Sequence, residues 1–596
     1  MPPSLPSSKK RKTRDSDDTV KAIQVLEQDL ASAISRGTSL NPLADLLDLA
    51  SQAETPAHAS RAIYALYRTF VLLLSDGALS GPSHTEEAKA VRTWLLERLN
   101  AFTDQLAGLL KDEEASLQTS ALDILMSLQK HLSSSLTRTS DSKQPPQSHV
   151  SHFRKIVSAL LLCPPSTRGS TPKKRKTEPV SDDRMLDSTV RDHFVNTWFS
   201  VHDDVRWFFL RDAAILLARH PHKEAPQLPG NLLSILERLT TFPTQRSELN
   251  TWWIEELGAK PAPSKKSSAH EDADEEVGGA SGADDEDDWR KFFDEPASKA
   301  DDKGKKGAPG RLHTLTVHQS LHSLSAHRAV FTKAWLALLP QLSLGGAERA
   351  RTHSLRVLNV LHRGVVPHLT RPILIMDWVG SAVDHGGTVG LLALNALFML
   401  IKDHNLDYPA FYTRLYGFLD KDVLHLKHRA RFFRLTEVFL GSTLLPANLV
   451  ASFVKRLSRL SLCAPPAAVV MLIPFTYNML RRHPSLMTMI HRTEEISGAE
   501  CDGFDAGEGN PALTNALESS LWELYSHRRH YHGAVSSLAR ILEEAFTRPR
   551  YGMEDFLDHT YGTMMETEVQ RKIRREPATE GEGVQSDGLE ELWKIG

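Results

Sequence analysis

Basic side chains recur at helical spacing in two neighbouring stretches of this 596-residue chain. Lys427, Arg431 and Arg434 follow one another at i, i+4 and i+7, forming one ridge. Lys455, Arg456 and Arg459 are expected to form a second on the next helix, and Arg481 and Arg482 close a third. Guanidinium forks and ammonium groups in such rows suit the oxygens of phosphates and of carboxylates equally well. Three readings stand open: contact with nucleic-acid phosphates, pairing with an acidic segment of a partner or of this chain, and plain solvated faces.

Other residue types are less specific. Tyr408, Phe411, Tyr412 and Tyr416 have the ring faces to stack on bases. At this spacing on a helix they are instead expected to pack against the following helix. Lys9-Lys10-Arg11-Lys12 and Lys173-Lys174-Arg175-Lys176 are compact basic runs in Pro/Ser-rich settings, the composition of nuclear-localisation signals. His318, His322 and His327 have a spacing that invites a metal, but with no acidic or cysteine partner nearby they are expected to be surface or core histidines. The motifs GxxxxGK[ST], HExxH, GxSxG and CxxC are absent, so no catalytic constellation, metal or cofactor is expected. Cys163, Cys463 and Cys501 stand far apart, which argues against a disulfide framework and suits a reducing compartment. The N-terminus lacks an apolar secretory core, and the run from Val389 to Ile401 is shorter than the roughly 20 residues of a membrane span. A soluble intracellular protein with no membrane contact is expected. The formal net charge of -3 hides strong local segregation.

Helices must position these groups. Apolar residues at i, i+3 and i+4, such as Val20, Ile23, Leu26, Leu30 and Ile34, recur through most of the chain, and no alternating β-branched run interrupts them. The expected fold class is all-α: an extended α-solenoid of HEAT/armadillo-like helical repeats with disordered tails and a long acidic linker. No strict period assigns a named repeat. The division is a disordered basic tail at 1–18, a helical-repeat region at 19–257 with a basic loop at 163–187, the acidic linker at 258–310, a helical region at 311–548 with its core at 408–492, and a tail at 549–596. Inside the linker, DDWRKFF sets Trp289, Phe292 and Phe293 on one side of a turn, as a docking motif or a casual apolar cluster. Phe194, Trp198, Phe199, Trp207, Phe208 and Phe209 are expected in the core. In LHLKHRARFFRLTEVFL, Leu426, Ala430, Phe433 and Leu440, beside Phe432, Leu435 and Phe439, make a wide buried face. The next helix starts after Pro446, buries Val450, Phe453, Leu457 and Leu460, and ends before Pro465-Pro466. A third carries Pro474, which predicts a kink, and ends before Pro484. One further helix is expected from Ala516 through Phe546.

The block from Tyr408 to Arg492 resembles the CBF domain, named after CCAAT-binding factor and shared by a set of nucleolar ribosome-assembly proteins. The residues that carry the resemblance are NLDYPAFYTRLYGFL, the long run from Leu424 to Leu462, CAPP, and IPFTYNMLRRHPSLMTMIHR. Length and a single N-terminal helical region are most similar to the nucleolar complex protein 4 family. The resemblance implies a noncatalytic scaffold in the nucleus and nucleolus, maturing the small (40S) ribosomal subunit, with roles in pre-rRNA processing and subunit export. It also implies a heterodimer with a larger partner, nucleolar protein 14, among other small-subunit processome proteins. Direct binding of pre-rRNA or DNA by the basic ridges is the alternative.

Overall fold

The computed structural model describes residues 9–53, 55–79, 86–139, 145–166, 168, 184–261, 316–404, 408, 410–425, 428–491 and 502–572. Among these, every regular element is a helix or a helical turn, and none is long and apolar enough to cross a membrane. The fold class is therefore all-α. The clusters Lys173–Lys176, the acidic linker with Trp289, Phe292 and Phe293, and Leu426 and Lys427 lie outside the described residues. So do the side chains of Lys9–Lys12, although their backbone opens the first helix instead of forming a separate tail.

Contacts divide the chain into two units: unit 1 comprises residues 1–383 and 395–406, unit 2 residues 384–394 and 407–596. Unit 1 begins with α1 (Lys9–Arg36), α2 (Pro42–Gln52), α3 (Pro56–Ser75), α4 (Glu86–Leu109), α5 (Ala115–Thr139), α6 (Val150–Leu162), α7 (Ser188–Phe194) and α8 (Asp203–Arg219). Two of these starts have a visible local cause. Pro42 and Pro56 occupy first-turn positions, where a missing N–H costs nothing, and the Thr55 hydroxyl accepts from His58 N. Two rows result: α1, α3, α5 and α7 pack in succession, and α2, α4, α6 and α8 pack in a parallel succession beside them. Stacked helical hairpins of this kind bury a continuous core while each contacts only its neighbours, which is α-solenoid packing.

The solenoid continues through α9 (Leu228–Leu236), α10 (Val317–Leu321), α11 (Leu324–Leu342) and α12 (Ala347–Val360). Here the structure redraws the expected division. Helix α11 lies against α8, from the other side of the acidic linker. The Leu257 carbonyl accepts from His318 Nε2 at 3.2 Å and from His322 Nε2 at 2.9 Å, while His327 donates to the Leu321 carbonyl at 2.9 Å. The three histidines are thus tied to carbonyl oxygens, not grouped around a metal. Residues on both sides of 258–310 belong to one body, because composition marks a loop but does not say where its ends meet. The loop at 163–187 is similar: Asn231 donates to the carbonyls of Leu161 at 2.9 Å and Arg184 at 3.0 Å and accepts from Leu186 N at 2.8 Å. All six aromatics from Phe194 to Phe209 are buried, with Phe194, Phe199 and Phe209 packed ring to ring at 5.0–6.0 Å.

The division between units runs through α14 (Gly387–His404), which follows α13 (Met376–Asp384). Unit 2 then holds α15 (Phe411–Gly417), α16 (Arg429–Leu440), α17 (Ala447–Ser461) and α18 (Pro466–Arg482). Short pieces follow: α19 (Trp522–Ser526), α20 (Gly533–Ala539), α21 (Glu554–Leu557) and α22 (Tyr561–Gln570). The single helix expected from Ala516 to Phe546 is instead a chain of short helices and 3₁₀ turns.

Candidate functional site

Helix α18 is the centre of unit 2. Every residue from Ala467 to Leu480 is buried, Pro474 included, although proline leaves one helical carbonyl without its usual donor. Pro465 and Pro466 begin the helix, and Pro484 opens the 3₁₀ turn that follows it. Pro446 caps α17 in the same manner. Against α18 lies α16, whose Phe432, Phe433, Leu435, Phe439 and Leu440 form the wide buried face its period predicts. Phe433 meets Phe475 edge-on at 5.6 Å. The aromatics of α15 turn inward as expected: Phe411 packs on Phe439 at 4.6 Å, Tyr416 on Phe453 at 5.3 Å, and the Tyr412 hydroxyl donates to the Phe439 carbonyl at 3.3 Å. Rings placed this way are not stacking platforms for bases. Gly441 ends α16, where a Cβ would meet the Glu437 carbonyl at 2.8 Å.

The basic ridges are where the structure departs most from local reading. Lys455, expected on the surface of α17, is completely buried. Its ammonium reaches Asp502 at 2.6 Å, Glu523 at 2.7 Å and the Ser520 carbonyl at 2.6 Å. Arg459 joins the same two acids at 3.5 and 3.2 Å, and the Trp522 ring covers both cations at 5.7 and 5.6 Å. Two cations thus balance two carboxylates, one of them fully buried, in a cluster whose charges compensate. Burial would raise the Asp502 carboxyl, but the hydrogen bond and charge of Lys455 outweigh it and hold the group below the usual carboxylate range. Arg456 donates to the Leu419 carbonyl at 2.7 Å and lies over Tyr416 at 4.5 Å.

The same pattern holds on α16 and α18. Arg434 pairs with Glu554, Nε to Oε1 at 2.7 Å, with Asp558 at 3.9 Å. Arg481 donates to the Arg548 carbonyl. Asn478 and Tyr551 exchange side-chain–backbone bonds at 2.9 and 3.0 Å, and Arg550 meets Glu437 at 2.6 Å. Tyr477 stacks on Phe546 at 4.8 Å. Among the candidates, Arg431 is half-buried with one Nη lacking a hydrogen-bond partner, and Arg482 is exposed at the rim of a shallow dent of about 210 Å³ lined also by Glu437, Asn478 and Arg550.

Four of the predicted basic residues, Arg434, Lys455, Arg459 and Arg481, are thus held by the segment 502–558, which returns over α16–α18, while Arg456 is held by Leu419 and Tyr416. The segment's acids Asp502, Glu523 and Glu554 are the ion-pair partners that local reading misses. No local periodicity marks them, because they lie 43 to 120 positions from the bases they meet. The stretch at 549–572, expected as a tail, is in its first half part of this packing. At the surface the same assembly leaves Leu444, in the turn between α16 and α17, 93% exposed, and Val438 on α16 58% exposed.

Comparison with known proteins fits this architecture. Residues 390–539 match the CBF/Mak21 family, and residues 12–222 match a family described as "Nucleolar complex protein 4-like, TPR repeats". The second match supplies the named repeat that the sequence period did not. The Saccharomyces cerevisiae protein "Nucleolar complex protein 4" is 31% identical over 557 residues, 89% of this chain and 87% of that one. An uncharacterised Schizosaccharomyces pombe protein is 32% identical over 96% of this chain and 100% of its own length. The human "Nucleolar complex protein 4 homolog" is 45% identical over 250 residues, 42% of this chain and 47% of that one.

Proposed function

The chain belongs to the nucleolar complex protein 4 family, and on that premise we propose that it is a noncatalytic scaffold of nucleolar ribosome biogenesis that holds a protein partner on unit 2. The finer reading is that it works on the small (40S) subunit, as a heterodimer with nucleolar protein 14 and alongside other small-subunit processome proteins. One observation carries the scaffold reading. The basic residues of α16–α18 fasten the chain's own segment 502–558, so this unit presents a surface preorganised by internal ion pairs. Preorganisation lowers the entropy lost when a partner docks. Nucleic-acid binding through the ridges is correspondingly disfavoured, since the Lys455 ammonium is enclosed, Arg456 donates to the Leu419 carbonyl and Arg459 pairs with Asp502 and Glu523.

The test is co-expression of the full chain with nucleolar protein 14. A complex that survives high salt is expected, since a docked interface with an apolar core resists screening better than surface ion pairs do. Leu444→Glu should reduce its yield while helical content stays unchanged, because the side chain is almost fully exposed. Failure of the wild-type chain to co-purify with nucleolar protein 14 at any salt would remove that partner. Co-purification unaffected by Leu444→Glu would move the contact elsewhere on the chain.

A further inference from the structure

Unit 1 carries a second set of basic side chains, and these are largely not paired off. On α12, Arg349, His353 and Arg356 follow at i, i+4 and i+7 and share one face. Two other elements meet that face. The His353 Nε2 lies 3.5 Å from where a Cβ on Gly230 of α9 would stand, so the missing side chain there admits the imidazole. Ahead of α12, Gly345 and Gly346 turn the chain with φ of +100° and +102°, a conformation that favours glycine. A Cβ on Gly345 would meet the His222 ring at 2.9 Å and Arg349 Cδ at 3.8 Å. The turn after α8, which bears His222 and Lys223, thus converges with α9 and α12.

Not every cation here is paired. Glu237 faces the cluster, and Arg356 already holds it through two bonds of 3.0 and 2.8 Å. The exposed acids nearby are Glu348, one residue before Arg349, and Glu224, which sits 3.9 Å from His220. Arg349 and Lys223 are exposed and make no ion pair among the described residues, and His353 Nδ1 is buried without a hydrogen-bond partner. Burial holds the His353 pKa below its ordinary value, and the charges of Arg356, Arg349 and His222 lower it further against the opposing pull of Glu237. Around His353 the charges of Arg356 and Arg349 outnumber that of Glu237, and Arg349 and Lys223 remain exposed to an anion.

Two classes of macromolecule supply anions in rows. A peptide docks through a buried apolar core with charges at the rim, and the exposed Leu344 is the large apolar side chain that borders this cluster. Cations arrayed from separate elements around glycine turns suit a sugar–phosphate backbone, which is read by charge and position. We propose that this face of unit 1, where Lys223 and Arg349 offer unpaired cations beside His222 and His353, binds the phosphate backbone of RNA. It goes beyond the partner-holding role of unit 2 and stands or falls separately from it.

The experiment is fluorescence anisotropy of fluorescein-labelled poly(U) with the full chain across a salt titration. Binding by the parent should weaken steeply with salt. The double variant Arg349→Glu/Lys223→Glu should bind about tenfold more weakly at low salt, with its log–log salt slope reduced by about one to two, one for each phosphate no longer neutralised. Far-UV circular dichroism should not change. Should the reversed variant lose helicity, Arg349→Ala/Lys223→Ala decides, with a smaller loss in the same direction expected. Arg481→Glu/Arg482→Glu in unit 2 should leave RNA affinity as it was. The proposal is overturned if the parent does not bind poly(U) at low salt, if neither unit 1 variant changes the affinity, or if the unit 2 variant weakens it as much. Displacement of poly(U) by poly-glutamate at equal charge would overturn it in favour of an acidic peptide. Co-purification with nucleolar protein 14 should be the same for the unit 1 variants and the parent, so failure here is distinguishable from failure of the scaffold reading.

Discussion

Basic side chains at helical spacing meet different fates in the two units. On α16 and α17 of unit 2, Arg434, Lys455 and Arg459 are matched by Glu554, Asp502 and Glu523 from a returning segment. On α12 of unit 1, Arg356 is matched by Glu237, while Arg349 keeps its charge in solvent. Spacing alone does not separate a clasp from a binding face. What separates them is whether the chain carries acids to the same place. The units also differ in how they hold together. The first eight helices of the solenoid pack on neighbours close in sequence, whereas unit 2 fastens short helical pieces across 43 to 120 positions by ion pairs and side-chain–backbone bonds.

The comparison breaks most readily at Lys455. Lys455→Ala leaves Glu523 fully buried with one cation fewer, and should destabilise the chain by about 3–5 kcal/mol, measured by denaturant or thermal unfolding. If it costs less than about 1 kcal/mol, the clasp is ornamental and the contrast with α12 disappears.

Acid sharpens it next. Burial lowers the pKa of His152 and His327 in unit 1 and of His527 in unit 2 to about 4 each. A histidine whose folded pKa lies below its unfolded value of 6.5 binds fewer protons when folded, so stability falls as pH drops from 6.5 toward 4. Each buried histidine contributes at most about 3 kcal/mol to that loss. His152→Gln should flatten the unfolding-versus-pH curve in that window, and an unchanged curve would remove this histidine from the account. The smallest effect is expected at Arg434→Ala, which breaks an exposed pair and should cost no more than about 1 kcal/mol, well below Lys455. Equal effects at the two sites would mean that burial is not what gives the clasp its strength.

Much of the local structure is legible in residue order. The buried face of α16, the prolines that begin α17 and α18, and the inward turn of Tyr416 follow from periodicity and backbone chemistry. The exposed reading of Lys455 fails because a helical wheel places residues relative to one axis and knows nothing of a segment arriving from residue 502 onward. The broken helix at 516–546 fails for a related reason. That stretch is shaped by the helices it packs on, with Ser461 bonded to His527 at 2.8 Å and Lys455 to the Ser520 carbonyl at 2.6 Å, not by its own propensity. The acidic linker has the composition of a domain boundary because composition marks what cannot pack, whereas His318 and His322 on the shared Leu257 carbonyl show where its flanks meet.

Taken alone, residue order determined that this chain is helical, where most of its helices begin and end, and which side chains form cores, since those properties depend on contacts within a few positions. Tertiary structure alone decided which cations are neutralised. The free energy of a charge depends on what lies within a few ångströms of it, and for Lys455 and Arg434 those neighbours come from far along the chain.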